Sequence, residues 1–442
     1  MDDYRMIADE LAADIAAGRL SPGDRLPPLR RLARQRGIAS STAARVYREL
    51  TRRGLTVGEV GRGTFVRTST PSIEPALAWP GEARVDLDLN FAVLLEQPAL
   101  LAKSLEHLLR PEALAGALRP VGAEGTPPAR YAAASLLTRG TWTPEPRRLL
   151  FAGNGKQAIA ASIAALVPAG ERLGVEPLTF PVVKGIAARL GVTLVPLTMD
   201  EYGITPDALR VVPPLRAVYM QPALHNPLGI TMPDQRREEI AESLRQRDTY
   251  AIEDAIYSFL RNDLTPLAAL APERTVVVDS LSKRLAPGLT LGFMMTPEGM
   301  TQHFAAALRS GTWTAHRFAL EAATCWMTDG TASTIEHAKR SDAAQRQRIA
   351  AARLAPQTIQ ADPHAYHCWW ELPAPWRADT FVAAAARRGI AVTPAGAFAV
   401  GPGHVPNAVR LALASPPVDV LADALEVLAE LAHGTPEDAG QE

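Results

Sequence analysis

Cysteine is nearly absent. The 442-residue chain has two, Cys325 and Cys368, with no spacing suited to a disulfide framework or a zinc site, so both read as small buried apolar side chains. Lysine is almost as scarce: Lys103, Lys156, Lys184, Lys283 and Lys339 are its five occurrences, while arginine is abundant. No uninterrupted apolar run is long enough to span a bilayer, and the N-terminus lacks the charged start, apolar centre and small-residue cleavage site of a secretory leader. A cytoplasmic protein without membrane attachment or a metal site is expected. At 47% hydrophobic residues, the chain is long enough for more than one core.

The formal net charge of −1 hides an asymmetry. Residues 1–70 hold thirteen arginines against eight acidic residues, and the remainder 33 basic against 39 acidic. A basic N-terminal module on an acidic body implies different partners for the two parts.

In the first module Ile7, Leu11 and Ile15 recur at helical spacing before Gly18. "SPGDRLPP" turns the chain, and Pro28 opens a second helix with Leu29, Leu32 and Ala33 facing inward and Gly37 at its end. A third follows from Ser40 or Ser41, with Ala43, Val46, Tyr47 and Leu50 inward and Gly54 as the stop, making a helix-turn-helix. Thr42 and Arg45 lie on its outward face near the N-terminal end, where a recognition helix meets base edges. "LTVGEVGRGTFVR" reads as a hairpin wing whose tip, Arg62, can reach phosphates. The DNA-binding domain then covers residues 1–67. The Pro, Ser and Thr content of 68–84 marks a linker, leaving 85–442 as a second domain.

That second domain alternates helical stretches with short apolar runs such as "RAVYMQP", "TYAIED" and "TVVVDS". The alternation argues for α/β architecture with a mostly parallel sheet and ligand groups beyond the carboxyl ends of the strands. Lys283, Asp254 and Asn226 each follow such a run. A primary amine can condense with an aldehyde, and the residues beside this lysine suit pyridoxal 5′-phosphate. Gly153 and Gly155 precede a helix whose first amides can take the phosphate, with Lys156 and Gln157 in the opening turn. Asp254 can pair with the pyridine nitrogen, Tyr257 and Asn226 can bond the phenolic oxygen, and Phe180 can stack on the ring.

Taken in order, "LPPLRRLARQRGIASSTAARVYRELTRRGL" and "GRGTFV" resemble the winged helix-turn-helix of the GntR family of bacterial transcription regulators. The resemblance implies that Arg30 and Arg45 contact DNA, with Ser41, Thr42 and Gly63 fixing register against its backbone. "HNPLG" at 225–229, "EDAIY" at 253–257, "SLSK…PGLTLGF" at 280–293 and "VRLALASP" at 409–416 resemble the fold type I, aspartate-aminotransferase-like PLP enzymes, which end in a small C-terminal α+β subdomain. By that resemblance Lys283 carries the cofactor as a Schiff base, Ser280 and Ser282 assist the phosphate, and Arg410 receives a substrate carboxylate.

The fusion resembles the MocR regulators. It implies a double-stranded DNA operator, an amino acid, amine or PLP as effector, a head-to-tail homodimer, and transamination that is weak or absent. Two departures stand out: Thr290 and Val121 occupy positions where members usually carry an arginine and a tyrosine that reach the cofactor phosphate. Lys156 and Arg284 are the cations placed to compensate. Two alternatives stay open at this level, an active aminotransferase with a DNA-binding appendage and a regulator that works without the cofactor.

Overall fold

The computed structural model describes residues 3–16, 19–20, 23–52, 55–59, 63–66, 83–401 and 405–436. Arg62, the helix stops Gly18 and Gly54, and nearly all of the 68–84 linker lie outside the described residues.

The N-terminal domain begins with three helices, α1 (Asp3–Ala16), α2 (Leu29–Arg36) and α3 (Ser40–Arg52). The antiparallel hairpin β1 (Thr56–Glu59) and β2 (Gly63–Val66) follows as the wing. Ile7, Leu11, Leu32, Ala33, Ala43, Val46, Tyr47, Leu50 and Val66 form one buried cluster, as helical spacing requires. Leu29 departs from its expected inward place and is exposed, because it occupies the first position of α2 at the edge of that cluster. The turn before α2 adds to the wing: Leu26 N–H donates to Thr64 O at 2.7 Å, and Val66 N–H to Asp24 O at 2.8 Å. Gly37 closes α2 at φ 62°, a left-handed cap that disfavours a side chain.

The second domain holds a seven-stranded sheet. Its strands are β4 (Leu149–Ala152), β5 (Arg172–Val175), β6 (Thr193–Pro196), β9 (Ala217–Met220), β10 (Tyr250–Asp254), β11 (Thr275–Ser280) and β12 (Gly292–Met295), with a small hairpin of β7 (Met199–Asp200) and β8 (Gly203–Ile204) between β6 and β9. The order is β4-β12-β11-β10-β9-β5-β6, and β12 alone runs against its neighbours. The inner strands are buried on both faces, which is why they read as continuous apolar runs without alternation.

A small α+β subdomain completes the chain. It holds the antiparallel sheet β13 (Ile359–Gln360), β14 (His367–Glu371), β17 (Ala408–Ala412) and β16 (Thr393–Pro394), packed with helices Ala378–Arg387 and Val418–His433. The short strand β3 (Val85–Asp86), just after the linker, pairs with β15 (Ile390–Ala391) in this subdomain. Among the described residues no helix is long and apolar enough to cross a membrane, and no group of three or more His, Cys, Asp or Glu is placed to hold a metal ion.

Candidate cofactor and effector site

Five of the parallel strands end at the same edge of the sheet, and the residues singled out in the sequence follow those ends. Gly153–Gly155 follows β4, Phe180 comes after β5, Asn226 after β9, Asp254 closes β10, and Ser280 closes β11 three positions before Lys283. A parallel sheet brings these loops together although they are far apart in sequence.

The lysine turn is a single short helix, Leu281–Arg284, capped when Ser282 N–H donates to the Ser280 hydroxyl at 3.1 Å. Lys283 Nζ donates to the Asn90 carbonyl at 2.6 Å and lies 3.6 Å from the Phe91 ring centroid and 5.9 Å from that of Tyr257. Burial drives this amine well below lysine's ordinary range, and the positive charges of Arg410, Lys156 and Lys339 push it further. Lys339 is fully buried beneath the turn and donates to Lys283 O at 2.9 Å and Leu285 O at 2.5 Å.

Arg284, one of the two cations expected to compensate at the phosphate, does not face that way. It is buried between Asp279, at 2.6 Å, and Glu336, at 2.5 Å. Such a pair must stay together, since either charge alone in the interior is costly. Thr290 hydrogen-bonds Ser280 through their hydroxyls at 3.1 Å, and Val121 packs against the core. Lys156 is exposed at the opening of helix Gly155–Leu166.

At that opening the Asn154 side chain accepts from Gln157 N–H at 2.8 Å, leaving the first amides of the helix for another acceptor. A Cβ on Gly155 would lie 3.0 Å from the Ser280 Cβ, so the glycine lets two loops approach. Gln157 folds back toward Gly153, where a Cβ would clash with its Oε1.

Neighbouring acids Glu253 and Asp254 point to opposite faces of β10, as a strand dictates. Glu253 lies between Arg139 and Arg237, each 3.9 Å away. Asp254 faces the site, where Tyr219 OH donates to its Oδ2 at 2.5 Å, Gln221 Nε2 to Oδ2 at 3.0 Å, and Ile256 N–H to Oδ1 at 3.1 Å. Desolvation still raises its pKa to about 6, with those donors opposing the shift. Tyr257 accepts from Asn90 Nδ2 at 3.1 Å. Asn226 Oδ1 is buried with no hydrogen-bond partner among the described residues. Phe180, half-buried, packs at the start of helix Pro181–Leu190.

Arg410 reaches the site from β17. Its Nη2 donates to Asp88 O at 2.6 Å, Asp88 Oδ1 at 3.3 Å and Thr393 Oγ1 at 2.7 Å. Sequence reasoning missed Asp88, Asn90, Phe91, Tyr219, Gln221 and Lys339. The first three follow the linker with no motif around them, and nothing in the sequence near Lys339 marks it as part of the site.

On the N-terminal domain, Arg30, Ser41 and Arg45 are exposed and Thr42 is half-buried. Arg45 lies over the Tyr4 ring of α1, 4.1 Å from its centroid, a support that helical periodicity did not show. Gly63 sits at φ 124°, and a Cβ there would meet Arg25 Nε at 2.8 Å.

The fold and these loops define a winged-helix domain joined to an aminotransferase-type domain. Residues 3–66 match the family described as "Bacterial regulatory proteins, gntR family" and residues 113–428 that described as "Aminotransferase class I and II". The chain is 28% identical over 93% of its length, and 90% of the other's, to the uncharacterized HTH-type transcriptional regulator YdeF of Bacillus subtilis. It is 27% identical over 66% of its length to the HTH-type pyridoxine biosynthesis transcriptional regulator PdxR of Corynebacterium glutamicum, covering 65% of that protein. With the HTH-type transcriptional regulator TauR of Rhodobacter capsulatus, identity is 26% over 67% of each chain. The crystal structure of an archaeal alanine:glyoxylate aminotransferase shares the fold, at TM-score 0.72 and 20% identity over 80% of this chain and 91% of that one. The protein belongs to the aminotransferase class I and II family and has the MocR architecture, that of a transcription regulator with an aminotransferase-like domain.

Proposed function

We propose that the larger domain binds pyridoxal 5′-phosphate at Lys283 and senses an amino acid, an amine or the cofactor itself, thereby controlling DNA binding by the winged helix. The observation that carries this reading is a buried lysine, its amine depressed by desolvation, at the same sheet edge as the buried carboxylate Asp254. The residues present fit the group. The first amides of helix Gly155–Leu166 are left for an acceptor such as a phosphate, and the buried Asn226 carboxamide has an unpartnered oxygen.

Bound there, the cofactor supplies an aldehyde and an electron-withdrawing ring. Lys283 would hold the aldehyde carbon through its amine, which burial pushes well below lysine's ordinary range. Asp254 would hold the ring nitrogen protonated. Asn226 and Tyr257 orient the phenolic oxygen, and Phe180 covers one face of the ring. Gly155, Lys156, Gln157, Ser280 and Ser282 take the phosphate. Arg410 pairs with an effector carboxylate.

Arg30, Ser41, Thr42, Arg45, Arg62 and Gly63 meet the operator duplex. PdxR and TauR, named as regulators, support the regulatory reading. A cytoplasmic head-to-tail homodimer completes it. Val93, Leu95, Leu109, Leu118, Tyr131 and Phe318 are exposed apolar side chains of the larger domain and are open to contact with a second copy.

The test is colour. Wild type incubated with the cofactor should gain a visible absorbance that Lys283→Ala abolishes, and a colourless wild type overturns the reading. Sustained turnover of an amino donor and a keto acid would instead mark an active aminotransferase.

A further inference from the structure

The lysine and arginine proposed to meet the ligand are both held by one stretch of chain. Asp88 gives Arg410 Nη2 its backbone carbonyl and its carboxylate, and Thr393, itself bonded to Arg410, donates its hydroxyl to that same carboxylate. Two residues on, the Asn90 carbonyl accepts from Lys283 Nζ, Asn90 Nδ2 donates to Tyr257 OH, and the Phe91 ring lies under the amine. Its remaining bonds are local or to Ser415: Asp88 and Leu89 N–H donate to Asp86 Oδ1, Phe91 N–H donates to the Ser415 hydroxyl at 3.3 Å, and that hydroxyl donates to Leu89 O. One side of the guanidinium is left over, since Arg410 Nε is buried and has no hydrogen-bond partner among the described residues.

We propose that Asp88 is an internal carboxylate competitor that decides which ligands the site admits. A ligand carboxylate takes the place of Asp88 at Arg410 and engages the vacant Nε as well. An amine without a carboxylate leaves Asp88 where it is. A guanidinium favours two parallel bonds to one carboxylate, whereas Asp88 offers one carboxylate oxygen at 3.3 Å and is a third exposed, so the incoming group has the better geometry. The displaced stretch directly follows β3 and the connector from the winged helix, so ligands that move Asp88 act on the chain leading to the DNA-binding domain.

The proposal rests on the cofactor reading above, and its test separates the two. L-alanine and ethylamine share a primary amine and differ in the carboxylate. Each is titrated into cofactor-loaded wild type and Asp88→Asn while the visible absorbance is followed. Weakening one charge-assisted competitor should lower the half-saturating alanine concentration roughly tenfold and leave that of ethylamine within about twofold. An unchanged ratio of alanine to ethylamine affinity overturns the proposal. If neither protein takes up cofactor, the cofactor reading fails, and the competitor is judged on cofactor-free protein by hydrogen exchange. Asp88→Asn and Arg410→Gln should each speed exchange of the 88–91 amides about tenfold, as expected for losing a contact of order 1.4 kcal/mol. Exchange at the wild-type rate in both variants overturns the proposal in that case.

Discussion

Lys339 donates its amine to the backbone carbonyl of Lys283, 2.9 Å away, so one of the chain's five lysines supports the turn that carries another. It also bonds Leu285 O, a carbonyl that accepts from Gln97 Nε2 as well at 3.0 Å, so Lys283 O is the acceptor that depends on Lys339.

Lys339→Met should therefore destabilise the larger domain by roughly 1–3 kcal/mol, the cost of leaving one buried acceptor unmet. Urea unfolding measures it. The pH dependence has a defined sign. Burial pushes Lys339 down to about 7, below its unfolded value of 10.5. The unfolded chain then binds more protons between those values, so wild-type stability falls as pH drops from about 10 through about 7. The Met variant should lack that part of the slope.

Lys283 is depressed in the same direction, mainly by desolvation. Its amine is neutral well below the pH at which a surface lysine loses its proton. Cofactor capture, followed as the growth of visible absorbance, should gain less between neutral pH and pH about 9 than the roughly tenfold per pH unit an ordinary lysine would show over that interval. A tenfold gain per unit would show that the amine is not perturbed.

Gly155→Ala places a methyl 3.0 Å from the Ser280 Cβ, where the phosphate loops meet. Alanine's better helix propensity offsets part of the cost of that tight contact, so the thermal midpoint is expected to fall only modestly. Cofactor affinity should fall about tenfold or more, about 1.4 kcal/mol, because the cradle is narrowed. Equal affinity would remove Gly155 from the site.

Arg284→Met leaves Glu336 buried without its ion-pair partner and Asp279 with Arg139 alone, 4.0 Å away. Breaking a buried ion pair from one side costs roughly 3–5 kcal/mol. Denaturant unfolding should show a loss of that order, even though the substitution keeps much of the side-chain volume.

Arg45→Ala should weaken binding to a selected operator by roughly 1–3 kcal/mol and random duplex much less, if Arg45 reads a base. Tyr4→Leu should reproduce part of that loss, since the ring supports the guanidinium at 4.1 Å. Fluorescence anisotropy on both duplexes checks each variant, and equal losses on both would assign Arg45 to the phosphates.

Local signals were enough to place most of the framework. The inward positions Ala43, Val46, Tyr47 and Leu50 are all buried, because spacing along a helix fixes which residues share a face. The same periodicity misjudged Leu29, since a pattern does not say where a helix ends relative to its partners. Motif order located Lys283, Asp254, Tyr257 and Asn226 because each is tied to the end of a strand, and strands are legible as apolar runs. Lys339, Tyr219 and Gln221 carried no such mark.

The sequence by itself determined the two-domain order, the kinds of side chain available at each strand end, and the choice of a primary amine at position 283. Only the tertiary structure decided what those groups meet. Lys283 is bonded to a carbonyl 193 positions away and Arg410 to one 322 positions away. The physical reason is that hydrogen bonding and desolvation act through space over a few ångströms, and packing, rather than adjacency along the chain, brings those partners within reach.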